Sequence, residues 1–289
     1  MDPLQGELTD LDALDARQFV IALRKLANGL SYGIDRSPFF GSGVEYVQSR
    51  PYQAGDSIRA IDWRVTARTR RFHVKEYETP KSMPCYLLID TSASMAVSSG
   101  PRSKYAAALH VAGGLALACL DRVSPVGVIG VGERRLRIEP SLSRDRVLQW
   151  LLLLRSFRYD EGTTLGARIA ELSSSLRQRA LVVVLSDLHD PAALPALKRL
   201  AQAHECVVLR FEDPAESGLR GGGFFRAAEA ETGHEFLTRG ARRWLDPEAT
   251  SRALERAGVD HLGIRTDRPF VHALRHLFRS RGSFARGTR

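Results

Sequence analysis

From Pro84 onward, short apolar runs alternate with segments whose apolar residues recur every three or four positions. CYLLID (85–90), VGVIGV (126–131), ALVVVLSD (180–187), CVVLRFE (206–212) and HLGIRTD (261–267) read as strands, and RRLRIEP (134–140) as a further strand at a sheet edge. Between them, 103–121, 144–156, 165–177 and 191–204 read as helices. Continuous β-branched strands separated by helices predict an α/β fold: a mainly parallel sheet with helices on both faces. Past Asp213, FFRAAEAETGHEFLTR (224–239) reads as a hairpin turning at Thr232-Gly233. Residues 246–257 form a helix opened by Asp246 and Pro247, and 269–278 a closing helix.

The N-terminal part is patterned differently. Leu11, Leu14, Phe19, Leu23, Leu26 and Leu30 keep a helical period, and Gly29 and Gly33 mark its end. The stretch 41–78 reads as short strands and turns, with SGVEYVQ and RFHVKEYE alternating apolar and polar residues. Such a piece buries little alone and is expected to pack on the strand-and-helix part of the chain. The expected organisation is an N-terminal helix and β extension over 1–81, an α/β domain over 82–282 and a basic tail over 283–289.

Composition narrows the class without naming it. The net charge is +9, and lysine supplies few of the 42 basic residues, the rest being arginine. Denser basic stretches at 64–75 and 279–289 permit contact with nucleic acid or another anionic surface. No apolar run reaches the roughly 18 residues of a membrane span. The acidic start MDPLQGELTDLDALDAR does not resemble a signal peptide, so a cytoplasmic location is expected. Cys85, Cys119 and Cys206 each sit in apolar sequence and read as buried thiols.

The chemistry concentrates after the first apolar strand. Asp90-Thr91-Ser92-Ala93-Ser94 offers a carboxylate and two hydroxyls at alternating positions, where open α/β sheets bind ligands. Gly162-Thr163-Thr164 precedes a helix, and Ser186-Asp187 closes the strand ALVVVL. These are hard oxygen donors, suited to Mg²⁺ or Mn²⁺. In order, the pattern resembles the metal-ion-dependent adhesion site of von Willebrand factor A domains. That resemblance implies a Rossmann-like A-domain fold and a metal held by Asp90, Ser92, Ser94, Thr163 and Asp187. It takes Thr163, next to the glycine, over Thr164. Asp90 is expected to present its carboxylate to solvent.

A second resemblance rests on Arg50-Pro51-Tyr52-Gln53-Ala54-Gly55-Asp56, Arg59-Ala60-Ile61-Asp62-Trp63 and Ala67-Arg68. These segments are similar to the signature of the bacterial domain of unknown function 58, which precedes an A-like domain. Members are often encoded beside MoxR-type AAA+ ATPases. The resemblance therefore implies an adaptor or recruiter in an AAA+ ATPase system. A metal held by several neutral hydroxyls and few carboxylates would stay open to a partner's Asp or Glu, giving a non-enzymatic grip. Asp56, Arg59, Asp62 and Arg68 read as an ion-pair network clamping the N-terminal piece to the A-like domain, or as partner contacts. Trp63 reads as core. The rival function is binding of nucleic acid or an anionic surface through arginine. A hydrolase is the weakest option, because no Gly-x-Ser-x-Gly elbow is present. No Walker motif is present either. His272 and His276, four apart, have no evident third metal ligand and read as a surface or half-buried pair.

Overall fold

The computed structural model describes residues 5–8, 45–54, 56, 58–78, 83–96, 98–158, 160–217, 224–228, 235–239 and 247–284. The helix expected over 11–30, the turn at Thr232-Gly233, Gly55 and the Arg59 side chain lie outside what is described.

The chain forms a mixed α/β structure around a six-stranded sheet. In chain order its strands are β4 (Cys85–Ile89), β5 (Val126–Gly130), β6 (Arg137–Ser141), β8 (Leu181–Ser186), β9 (Glu205–Glu212) and β12 (Asp260–Arg265). Their spatial order is β12-β9-β8-β4-β5-β6. All neighbouring pairs are parallel except β5–β6, so the edge strand expected from RRLRIEP is the antiparallel one. Two short pairs stand apart from this sheet: β1 (Gln5–Glu7) with β7 (Ser156–Arg158), and β2 (Glu45–Pro51) with β3 (His73–Glu78). The expected hairpin is present as β10 (Phe224–Ala228) paired with β11 (Glu235–Arg239).

The pleat sends alternate residues of each apolar strand to opposite faces, so an unbroken apolar run requires cover on both. Cys85, Leu87 and Ile89 join one core with α3 (Lys104–Leu120), α4 (Arg144–Leu153) and α8 (Val271–Phe284). Tyr86 and Leu88 join the other with α5 (Leu165–Ser175), α6 (Ala193–Leu200) and α7 (Pro247–Arg256). Each fully buried Leu or Val contributes about 1.5–3 kcal/mol. Helix α3 is capped by Ser103, whose hydroxyl accepts from the Ala106 amide at 3.0 Å. It is buried at every position but His110. An alanine- and glycine-rich helix of this kind approaches the strands closely, and it has no polar face.

Helices α5 and α6 meet at Gly166. A Cβ there would come within 2.6–2.8 Å of Ala192, including its backbone. Gly166→Ala is therefore expected to destabilise the protein by about 1–3 kcal/mol, read from the urea unfolding midpoint.

In the N-terminal segment the structure corrects three expectations. First, a stretch read as strands and turns contains a helix, α1 (Trp63–Thr69). Asp62 caps it, accepting from the Arg64 and Val65 amides at 3.1 and 3.2 Å and from Ser49 Oγ at 2.6 Å. The Ser49 hydroxyl and these amide bonds hold the Asp62 carboxyl below its usual range. Second, Trp63 is 64% exposed rather than core, because it opens a seven-residue helix that buries none of its own side chains. Third, Asp56 and Asp62 spend their bonds within the segment instead of clamping it to the larger domain. Asp56 takes a bidentate pair from Arg50 at 2.8 Å and the Gln53 amide at 2.8 Å. Arg68 is exposed. Asp62→Ala is expected to speed hydrogen exchange of the Arg64 and Val65 amides while leaving the central strands protected.

Candidate metal centre

The strand order reverses at β4, with β5 on one side and β8 on the other. At such a point the loops leaving the sheet diverge and open a crevice beyond the strand C-termini. Register places Ile89 opposite both Leu185 and Gly130, and the Asp90 amide still donates to Leu185 O at 2.9 Å. Asp90 is therefore level with Ser186, and Asp187 follows one residue later, at the same end of two adjacent central strands.

Hydrogen bonds draw their oxygens into a chain. The Ser92 amide donates to Asp90 Oδ1 at 3.1 Å, and the Ser186 hydroxyl to Asp90 Oδ2 at 2.5 Å. Ser92 Oγ and Ser94 Oγ lie 3.1 Å apart, and Ser94 Oγ donates to Asp187 Oδ2 at 2.8 Å. Asp90, Ser92, Asp187 and Ser94, the last on the short helix α2 (Ala93–Ala96), are all buried. This corrects the expectation that Asp90 faces solvent: Thr91, Ser92, Ser186 and Asp187 are buried around the same strand ends.

Thr163 lies on a neighbouring loop, bridged to Gly132 across a short antiparallel contact. That loop is fastened to the Asp90 segment by Glu161. Its backbone carbonyl accepts from the Ala93 amide at 2.7 Å. Its buried carboxylate accepts from Thr91 Oγ1 at 3.0 Å and from Arg134 N and Nε at 3.0 and 2.6 Å. Gly132 fits here because a Cβ would collide with Glu161 and Thr91. Thr164 donates to the carbonyls of Val131 and Gly132 at 3.0 and 2.9 Å, so its hydroxyl serves the loop.

Three further groups at the site were missed by sequence reasoning as functional residues or left without a role there. Lys104, 1% exposed, donates from Nζ to Asp187 Oδ2 at 2.7 Å and to Glu216 Oε1. Glu216 sits on a 3-10 turn (Pro214–Ser217) after β9 and accepts from the Asp213 amide at 3.0 Å. Asp213 in turn binds Ser99 through its amide (2.9 Å) and hydroxyl. His189 places Nδ1 3.2 Å from Asp187 Oδ2. Asp187, His189 and Glu216 bring one ligand atom each within 4.8 Å of one another, with the Lys104 ammonium bonded to two of the three.

The two aspartates are held apart electrostatically. Burial, and then the Asp187 charge, push Asp90 up to about 7 from 3.8. Burial also pushes Asp187 upward, but the hydrogen bond from His189 and the Lys104 ammonium outweigh it, leaving Asp187 well below its usual range. Lys104 is raised, because Asp187 and Glu216 more than offset its burial.

The donor set fits a small hard cation. Adjacent ligands of an octahedral Mg²⁺, each at about 2.0–2.1 Å, stand about 2.9 Å apart. The Ser92–Ser94 and Ser94–Asp187 separations already have that spacing. Among the described residues no hydrogen bond joins Ser92 or Ser94 to a histidine, and His189 lies against Asp187. His272 and His276 are exposed on α8 and form no three-residue metal-binding group among the described residues.

Residues 48–253 match the family model described as "Protein of unknown function DUF58". Over 285 residues the chain is 26% identical to uncharacterized proteins of Mycobacterium bovis and Mycobacterium tuberculosis, covering 93% of this chain and 89% of theirs. A solved structure, an uncharacterized membrane spanning protein from Vibrio fischeri, is 15% identical and aligns with 69% of this chain and 96% of its own. Its TM-score of 0.24 is too low to bear on the fold. No helix among the described residues of the present chain is long and apolar enough to cross a membrane.

Proposed function

This chain belongs to the DUF58 family of proteins of unknown function, and we propose that it is a metal-dependent protein-interaction module with a von Willebrand factor A-like adhesion site. The metal is Mg²⁺, with Mn²⁺ as an alternative. Ser92, Ser94 and Thr163 would supply the hydroxyl ligands, and Asp90 and Asp187 would bind directly or through water. When bound, the metal supplies a positive charge with an open coordination position. The observation that carries this reading is the convergence of Asp90, Ser92, Ser94 and Asp187 at the C-terminal ends of β4 and β8, with the Ser92–Ser94 and Ser94–Asp187 oxygens 3.1 and 2.8 Å apart.

The chain's own residues set the character of the site. Neutral hydroxyls rather than carboxylates contribute much of the ligand set, so the metal keeps charge for an incoming Asp or Glu. Glu161 and Arg134 fix the Thr163 loop against the Asp90 loop, and preorganisation of this kind lowers the cost of binding. The setting we propose is a cytoplasmic adaptor or recruiter that works with a MoxR-type AAA+ ATPase and performs no chemistry itself.

The test is a pull-down with the immobilised full chain, the recovered proteins being identified. A specific partner is expected in Mg²⁺, lost with EDTA at fixed salt and lost with Asp90→Asn. Recovery of the same partner by wild type and variant alike, with EDTA present, would contradict the reading.

One observation favours a second reading. Tyr52, Trp63 and Phe72 are exposed on the N-terminal segment, beside exposed Arg64, Arg68, Arg70 and Arg71. Aromatic platforms among arginines bind single-stranded nucleic acid. Binding of a labelled oligonucleotide that falls steeply with salt and is lost in a Trp63→Ala, Arg68→Ala double variant would support it.

A further inference from the structure

Lys104 is an unusual neighbour for a cation site. It is the first residue of α3, its side chain is 1% exposed, and its ammonium is bonded to the same Asp187 oxygen that Ser94 binds. A lysine on a solvated helix start would turn outward into water. This one is held inward between Asp187 and Glu216, and the Glu216 turn is tied through Asp213 to Ser99. The protein thus carries a tethered monovalent cation against one of the two carboxylates on which the metal would depend.

We infer that Lys104 is an affinity-setting residue: it competes with the divalent cation for Asp187, so that the ion is held firmly only when a partner carboxylate completes its coordination. This rests on the reading of the site as metal-binding. The ammonium and the ion repel each other across a buried, weakly screened gap. To serve as a ligand, Asp187 would have to give up its bond from Lys104, whose ammonium would keep Glu216. A partner's carboxylate adds the negative charge that offsets this cost. Binding of metal and partner is then mutually reinforcing, as linkage requires of two ligands that each favour the same state. Glu216 decides how readily Lys104 lets go, since it is the carboxylate the ammonium keeps.

The experiment is calorimetric titration of Mn²⁺ alone into the full chain, without any partner, with folding checked by circular dichroism. Lys104→Met is expected to bind Mn²⁺ about tenfold more tightly than wild type, or better. Glu216→Gln leaves Lys104 with Asp187 alone and is expected to bind severalfold more weakly; it keeps the test decisive if Lys104→Met fails to fold. Arg144→Met removes the same charge beyond the far end of α3, where Arg144 pairs with Asp121, and is expected to match wild type. If wild type binds Mn²⁺ and neither Lys104→Met nor Glu216→Gln changes the affinity, Lys104 is a structural ion pair and the inference is overturned. Equal tightening in Arg144→Met would also overturn it, assigning the effect to net charge. If no variant binds Mn²⁺, the metal reading itself fails and this inference falls with it.

Discussion

Replacing Lys104 with methionine is expected to cost about 3–5 kcal/mol of stability in the metal-free protein. Methionine fills most of the volume of the lysine stem, so packing around the first turn of α3 is largely kept. What is lost is the countercharge. Asp187 is buried and Glu216 partly so, and both accept from the Lys104 ammonium. Removing one partner of a buried ion pair leaves the other charge desolvated without compensation, which is why the loss exceeds the worth of an exposed pair. Urea unfolding in EDTA measures it, and a loss below about 1 kcal/mol would show that Asp187 is held by Ser94 and His189 alone. Added Mn²⁺ should restore more stability to the variant than it gives wild type.

Asp90→Asn should have the opposite sign in the same buffer. Burial and the Asp187 charge raise the Asp90 carboxyl from 3.8 in the unfolded chain to about 7 in the fold. A carboxyl raised in this way contributes full stability below pH 3.8 and loses it as pH climbs through about 7. At pH 8 the ionised, metal-free wild type therefore bears a penalty on the order of 4 kcal/mol, which the neutral amide does not. The asparagine oxygen can still accept from the Ser92 amide, and its NH₂ can face Ser186 Oγ. With EDTA present, the variant should be more stable than wild type by about 2–4 kcal/mol at pH 8. At pH 5, where the Asp90 carboxyl is still protonated in the fold, that advantage should be smaller by about 2–3 kcal/mol. A variant no more stable at pH 8 than at pH 5, relative to wild type, would mean that Asp90 is not strained by its charge. The same substitution should abolish metal-dependent partner binding, so stability and function move in opposite directions at this residue.

The parallel sheet was legible because β4, β8 and β9 are apolar at nearly every position, a pattern that only a sheet buried on both faces satisfies. Asp90, Ser92, Ser94 and Asp187 were legible because each follows such a strand directly, and strand direction alone brings them to one edge. Lys104 was not. A single lysine opening an alanine-rich helix reads as a solvated start, and its burial depends on Glu216, 112 residues later. Glu161 was hidden in the same way, since its role needs Thr91, 70 residues earlier. Asp90 was expected at the surface because loops beyond strand ends are usually open. Its burial comes from the convergence of two loops, which no local pattern records. Trp63 failed differently. Aromatic residues favour cores, but the helix that carries it is too short to form a second buried face.

Everything proposed for this site depends on Asp90, Ser92, Ser94, Thr163 and Asp187 holding one divalent cation. The most direct measurement is anomalous scattering from crystals of the full chain grown with Mn²⁺. A single strong peak is expected within bonding distance of Ser92 Oγ and Ser94 Oγ, between Asp90 and Asp187. A peak displaced to Asp187, His189 and Glu216, or no peak at the serines in crystals saturated with Mn²⁺ and a carboxylate ligand, would refute that ligand set.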